Sequence, residues 1–131
     1  MKTAVALFIF KRFDTTARII ETLRNVKPPK VYLVADGPRN HIKNEPDQCI
    51  ETRQAIEKEI DWECQIFTKY SETNLGGPKN IVSGINWVFE HEEQAIFLED
   101  DDLPSESFFY FCENMLDKYK DDLSIKIVTS G

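Results

Sequence analysis

Ala4-Val5-Ala6-Leu7-Phe8-Ile9-Phe10, followed at once by Lys11-Arg12-Phe13-Asp14, is the stretch that decides how the rest of this chain reads. Seven apolar residues without a polar interruption are the pattern of a strand buried on both faces, and such strands belong to parallel sheets covered by helices. The run is far too short to span a bilayer and lacks the small-residue cleavage site of a secretory leader. A cytoplasmic location, with no transmembrane segment, is the expectation.

Working outward, short apolar runs alternate with segments of helical period, so the class is α/β with a mostly parallel, Rossmann-like sheet flanked by helices. Asp14 is read as the cap of a first helix carrying Ile19, Ile20, Leu23 and Val26, which Pro28-Pro29 ends. Val31 to Ala35 is the second strand. Asp36-Gly37-Pro38 signals a turn, and Pro46-Asp47 starts a more polar helix reaching about Ile60. Cys64 to Thr68 is the third strand. After Asn74-Leu75-Gly76-Gly77-Pro78, a helix directs Ile81, Val82, Ile85, Val88 and Phe89 to the core. Ala95 to Leu98 is the fourth strand, and Glu99-Asp100-Asp101-Asp102 follows its C-terminal end. A helix from about Ser105 to Tyr119 buries Phe108, Cys112, Met115 and Leu116, and Ile125 to Val128 is a fifth strand.

With 131 residues, 41% hydrophobic and 30% charged, the chain has the size and balance of one globular domain. Its net charge of -7 opposes binding to nucleic acid, which needs clustered Lys and Arg. Cys49, Cys64 and Cys112 form neither a paired framework nor a Cys-x-x-Cys knuckle, and His41 and His91 lack zinc-site spacing. Buried free thiols and a helix-ending His91 are the reading. Trp62, Trp87 and the stripe Phe108 to Phe111 are read as core packing.

Ligand crevices of open α/β sheets lie beyond the C-terminal strand ends, where strand order reverses. There the sequence places Lys11 and Arg12, Asp36 and Arg39, then Asn74, Gly76, Gly77 and Lys79, and finally the acidic run. With strand order 3-2-1-4, Arg12 faces Asp100 and Asp101. Successive carboxylates repel one another, and a bound Mg²⁺ or Mn²⁺ shared with a diphosphate offsets that. A solvated acidic loop before a helix N-terminus fits the same residues. Gly76-Gly77 before a helix can offer backbone N–H groups to phosphate, with Lys79 adding charge, or can serve the turn alone. Asp36 can accept a hydrogen bond from a base edge or ribose hydroxyl, or act only as a turn residue.

Taken in order, Phe8-Ile9-Phe10-Lys11-Arg12, Ala35-Asp36-Gly37-Pro38-Arg39, Asp61-Trp62-Glu63-Cys64, Asn74-Leu75-Gly76, Gly84-Ile85-Asn86-Trp87 and Leu98-Glu99-Asp100-Asp101 through Pro104, Phe108-Phe109 and Phe111-Cys112 carry a resemblance. The chain resembles the bacterial nucleotide-diphospho-sugar transferases of the GT-A fold, and more distantly the N-acetylglucosaminyltransferase I type. The resemblance implies a glycosyltransferase that binds a UDP-sugar through Mn²⁺ or Mg²⁺ and transfers the sugar to an acceptor sugar or polysaccharide. It implies Asp101, the last residue of a DXD-like motif, as metal ligand, with Glu99 and Asp100 near the ribose or diphosphate. Asp36 approaches the base, and Phe10, Arg12, Asn74, Gly76 and Lys79 line the nucleotide pocket. Asp102 departs from the pattern, where relatives often carry an uncharged residue, and leaves the metal register open by one. The chain stops at Gly131 directly after a predicted strand, so residues 1–131 are read as a truncated donor-binding domain. The acceptor half and general base are expected beyond Gly131.

A nucleotidyltransferase of related fold would carry a Gly-rich loop after the first strand, where this chain has Lys11-Arg12-Phe13-Asp14. Receiver-like and phosphatase domains need an aspartate there. A noncatalytic or degenerate nucleotide-binding module stays open beside the transferase reading.

Overall fold

The computed structural model describes residues 1–101 and 103–120, and the backbone of residues 127–129. The strands are β1 (Ala4–Ile9), β2 (Lys30–Ala35), β3 (Gln65–Tyr70), β4 (Ala95–Glu99) and β5 (Ile127–Thr129). The helices are α1 (Phe13–Val26), α2 (Glu45–Glu59), α3 (Gly77–Phe89) and α4 (Glu106–Lys118). The strands form one sheet in the order β3-β2-β1-β4-β5, every pairing parallel. The α/β, Rossmann-like class read from sequence is that of the structure, and the order 3-2-1-4, on which the facing of Arg12 and the acidic run depends, is present in it.

The alternation of β1 explains both layers. Val5, Leu7 and Ile9 join Leu33, Ile96 and Leu98 in a core closed by Ile19, Ile20 and Leu23 of α1, Ile56 of α2 and Phe109, Cys112 and Leu116 of α4. Ala4, Ala6 and Phe8 point the other way, with Tyr32, Val34 and Phe97, and meet Val88 of α3. Each fully buried Leu or Ile contributes about 1.5–3 kcal/mol, so the long uninterrupted strand supports both cores. The start of β1 is pinned separately: Glu113 Oε2 on α4 accepts from the N–H groups of Lys2 (2.6 Å) and Thr3 (2.7 Å) and from Thr3 Oγ1 (2.8 Å).

Several local expectations change. β1 ends at Ile9, which frees Phe10 for the rim. Asp14 lies inside the first turn of α1 instead of capping it; the cap position is Arg12 and makes no side-chain cap bond. Lys27, left-handed at φ 50°, ends that helix just before Pro28-Pro29. β3 runs later than Cys64 to Thr68, and as an edge strand beside β2 alone it stays largely exposed. Val82 is 57% exposed, because α3 covers its face of the sheet by itself and buries a stripe of Asn80, Gly84 and Val88. Phe109 takes the buried place assigned to Phe108, in register with Cys112 and Leu116, while Ser105 caps α4 by accepting from Phe108 N–H. Ile125 lies outside the described residues. All three cysteines are free, Cys64 only partly buried. Trp62 and Trp87 pack against the two cores, as read.

The approach of α3 to the sheet is set at Gly84. A Cβ there would lie 2.6 Å from Phe8 Cε1 and 2.9 Å from Val34 Cγ1, closer than packed carbons come. Gly84→Ala is expected to destabilise the protein by about 1–3 kcal/mol, since overpacking outweighs the helix-propensity gain. A urea midpoint unchanged by the substitution would show that α3 can lift off Phe8.

Candidate functional site

The C-terminal ends of β1, β2 and β4 and the loop leading into α3 surround one cleft of about 600 Å³, within the range of small-ligand sites. Phe10, Arg12, Asp36, Asn74, Gly76, Glu99, Asp100 and Asp101 all line it, so eight residues named from sequence meet there. Lys79 is the exception. It lines a second depression, with Lys69, Val82 and Trp87, because its place in the first turn of α3 turns it away from the crevice. Asp102, on which the two metal registers differ, lies outside the described residues.

Asp36 has a more definite job than the sequence suggested. Its Oδ1 accepts from the N–H groups of Gly37 (2.8 Å) and Leu75 (2.8 Å), and its Oδ2 from Gly76 N–H (3.1 Å) and Asn74 Nδ2 (3.3 Å). A carboxylate offers about four acceptor sites, and here four donors fill them. Asp36 therefore ties the end of β2 to the loop that starts α3. Two further contacts reinforce the tie. Arg53 Nη2 donates to the carbonyls of Asp36 (2.9 Å) and Ser71 (3.0 Å), its guanidinium 4.8 Å from the Tyr70 ring centre. Gly37 packs so closely that a Cβ would stand 2.5 Å from the Thr73 carbonyl carbon.

The cationic rim rests on a residue that the sequence reading passed over. Glu45, fully buried at the start of α2, accepts from Arg39 Nη2 (2.6 Å), Arg39 Nε (3.1 and 3.2 Å), Arg39 N–H (2.6 Å) and Lys11 Nζ (2.9 Å). The Arg39 hydrogen bonds, joined by that of Lys11, outweigh desolvation and hold its carboxyl well below the ordinary range. Lys11 and Arg39 stand 5.9 and 6.0 Å from the Phe10 ring centre. Glu45 balances one of these two positive charges and anchors both groups, whereas Arg12 stays close to the acidic run. Burial lifts the Asp100 carboxyl above its ordinary value; Arg12 opposes the lift, and Asp101 and Glu99 add to it.

Asp101 is exposed, Asp100 half-buried and Glu99 exposed, a set of hard oxygen donors at the cleft rim. Among the described residues no group of three or more His, Cys, Asp or Glu is arranged to hold a metal by itself. A hard cation here would need ligand oxygens and water to complete its shell, as Mg²⁺ commonly does beside phosphates.

No family model, curated protein or solved structure matches this chain. Among the described residues no helix is long and apolar enough to cross a membrane.

Three contributors to the site escaped the sequence reading. Glu45 precedes the Pro46-Asp47 helix start by one residue, where an acid is ordinary and nothing local marks it as buried. Arg53 sits on a polar helix whose period is weak. Asn80 carries no apolar signal, although its spacing of four from Gly84 and eight from Val88 places it on the buried stripe.

Because the Glu45 carboxyl is depressed in the fold, its stabilisation is present above the unfolded value of about 4.3 and lost as pH falls toward the folded one. Melting temperature measured from pH 7 to 2 should fall more steeply in the wild type below about pH 4.3 than in Glu45→Gln, which should be the less stable at pH 7. Parallel acid limbs would mean that the Arg39 and Lys11 contacts contribute nothing.

Proposed function

We propose that this chain is the donor-binding domain of a glycosyltransferase, holding a nucleoside-diphosphate sugar, UDP-sugar first among candidates, with Mn²⁺ or Mg²⁺. The observation that carries the reading is convergence: Arg12, the Asp36-held loop and Glu99 to Asp101 line the same cleft at strand ends where order reverses. The resemblance quoted from sequence runs through the same segments. Asp101, with Asp100 beside it, is the residue that would hold the metal, and the fit is one of hard carboxylate oxygens with a hard cation. When bound, the metal supplies charge that stabilises a leaving nucleoside diphosphate. Arg12, near Asp100, adds to the same part of the cleft a cation that can stabilise phosphate charge. The Asp36 clamp keeps the Gly76-Gly77 backbone in place, so a ligand meets a preformed wall.

A nucleotide-binding module without transfer is the second reading, and one observation favours it. Among the described residues the cleft lining includes no histidine, and its carboxylates are the saturated Asp36 and the acidic run itself. Purified residues 1–131 are therefore expected to bind donor, and at most hydrolyse it slowly, without passing sugar to an acceptor.

Calorimetric titration of UDP should give binding with Mn²⁺ or Mg²⁺ and little with chelator; equal affinity in both would count against a metal site. With metal and UDP at ~100 times the dissociation constant, linkage should add about 2.7 kcal/mol, or roughly 8–13 °C in melting temperature. Asp101→Asn should lose most of that shift. Retention of the shift by Asp101→Asn together with its loss in Asp102→Asn would move the ligand by one residue, and retention in both would remove the site.

A further inference from the structure

Asn80 is only 9% exposed and lines the cleft, yet its side-chain carboxamide makes no hydrogen bond to any described residue. Its polar atoms are not sealed in the core, unlike the partnerless Arg53 Nε and Tyr70 Oη, so they open into the cleft. Its place is fixed by backbone and packing. Asn80 N–H donates to the Gly76 carbonyl (3.0 Å), and Gly84, one turn on, seats the helix against Phe8 and Val34. A rigidly placed amide with unused hydrogen-bonding capacity is a recognition group waiting for a partner.

The charge around it selects the partner. Leu75 and Gly76 N–H, which could otherwise attract an anion to this end of the cleft, already serve the Asp36 carboxylate. That fixed negative charge disfavours phosphate near Asn80, whereas Arg12 lies on the other side, beside Asp100. A carboxamide offers one acceptor oxygen and two N–H donors, the complement of a neutral edge that both donates and accepts. We propose that Asn80 is a specificity-determining residue that hydrogen-bonds the nucleoside part of the ligand and not its diphosphate. The proposal rests on the cleft being a nucleoside-diphosphate site.

The test uses the 131-residue protein labelled with ¹⁵N, with Mn²⁺ replaced by diamagnetic Mg²⁺, and three probes: UDP, uridine and pyrophosphate. The Asn80 side-chain amide resonances are identified by their loss in Asn80→Ala, a variant that should melt with the wild type because the amide has no partner in the protein. UDP and uridine should each shift those resonances, and Asn80→Ala should weaken both by roughly tenfold while leaving pyrophosphate unchanged. A shift with pyrophosphate, or equal loss of pyrophosphate affinity in the variant, overturns the assignment to the nucleoside. UDP shifting the backbone of Arg12 and Gly77 while Asn80 stays still overturns the role of Asn80 and leaves the proposed function standing. Failure of UDP to move any cleft resonance removes both.

Discussion

A single carboxylate, Asp36, joins two parts of the chain that lie almost forty residues apart, and the shape of the cleft depends on that joint. Four donors converge on it from Gly37, Asn74, Leu75 and Gly76. Two are backbone groups at the entrance to α3, where the first turn of a helix leaves N–H groups without internal partners. Without Asp36 these groups would face water or ligand, and the loop that carries Gly76 would depend more on the packing of α3 at Gly84 for its place against β2. The constraint works because the edge it grips is firm: β2 lies between β1 and β3, and Arg53 ties the same turn from behind.

The opposite wall uses another solution to the same problem. Glu45 brings a buried negative charge to the base of the Lys11–Arg39 rim and is matched by two cations at hydrogen-bonding distance. A buried ion pair has to offset a large desolvation penalty, so such an arrangement is weak evidence for stability but fixes geometry well. Lys11 and Arg39 flank the Phe10 ring in fixed positions, whereas Arg12 remains near the acidic run. The cleft thus has one side anchored on Glu45 and another where Arg12 stands near the Asp100 carboxyl.

Much of this architecture was readable from the residues. The two-sided burial of Ala4 to Ile9 and the alternating helical segments led to a parallel sheet, and the rule about strand ends led to most of the residues that line the cleft. What escaped has a physical pattern. Periodicity marks apolar faces, so it placed Val88 correctly but also put Val82 and Phe108 in the core, where the structure buries Asn80 and Gly84 with Val88, and Phe109 in place of Phe108. It is silent about where a polar side chain finds its partner. Asp36 and Glu45 are both acids next to turns in the sequence, yet one grips backbone groups and the other grips two cations. Neither set of partners follows from periodicity: Asp36 reaches residues 74 to 76, and Glu45 joins Arg39 six residues away to Lys11 at the end of β1. Lys79 shows the same limit, since a first-turn position gives charge near a crevice without saying on which side of the helix it falls.

The strand order also governs the sequence of events during synthesis. β1 leaves the ribosome before both of its neighbours, β2 and β4. One edge of β1 can pair once residue 35 has emerged, but the other waits until residue 99. Between those two points β1 carries one row of unpaired backbone groups, the condition under which strands recruit wrong partners. The wait is built into a topology in which a central strand precedes both of its partners, one of them by about ninety residues.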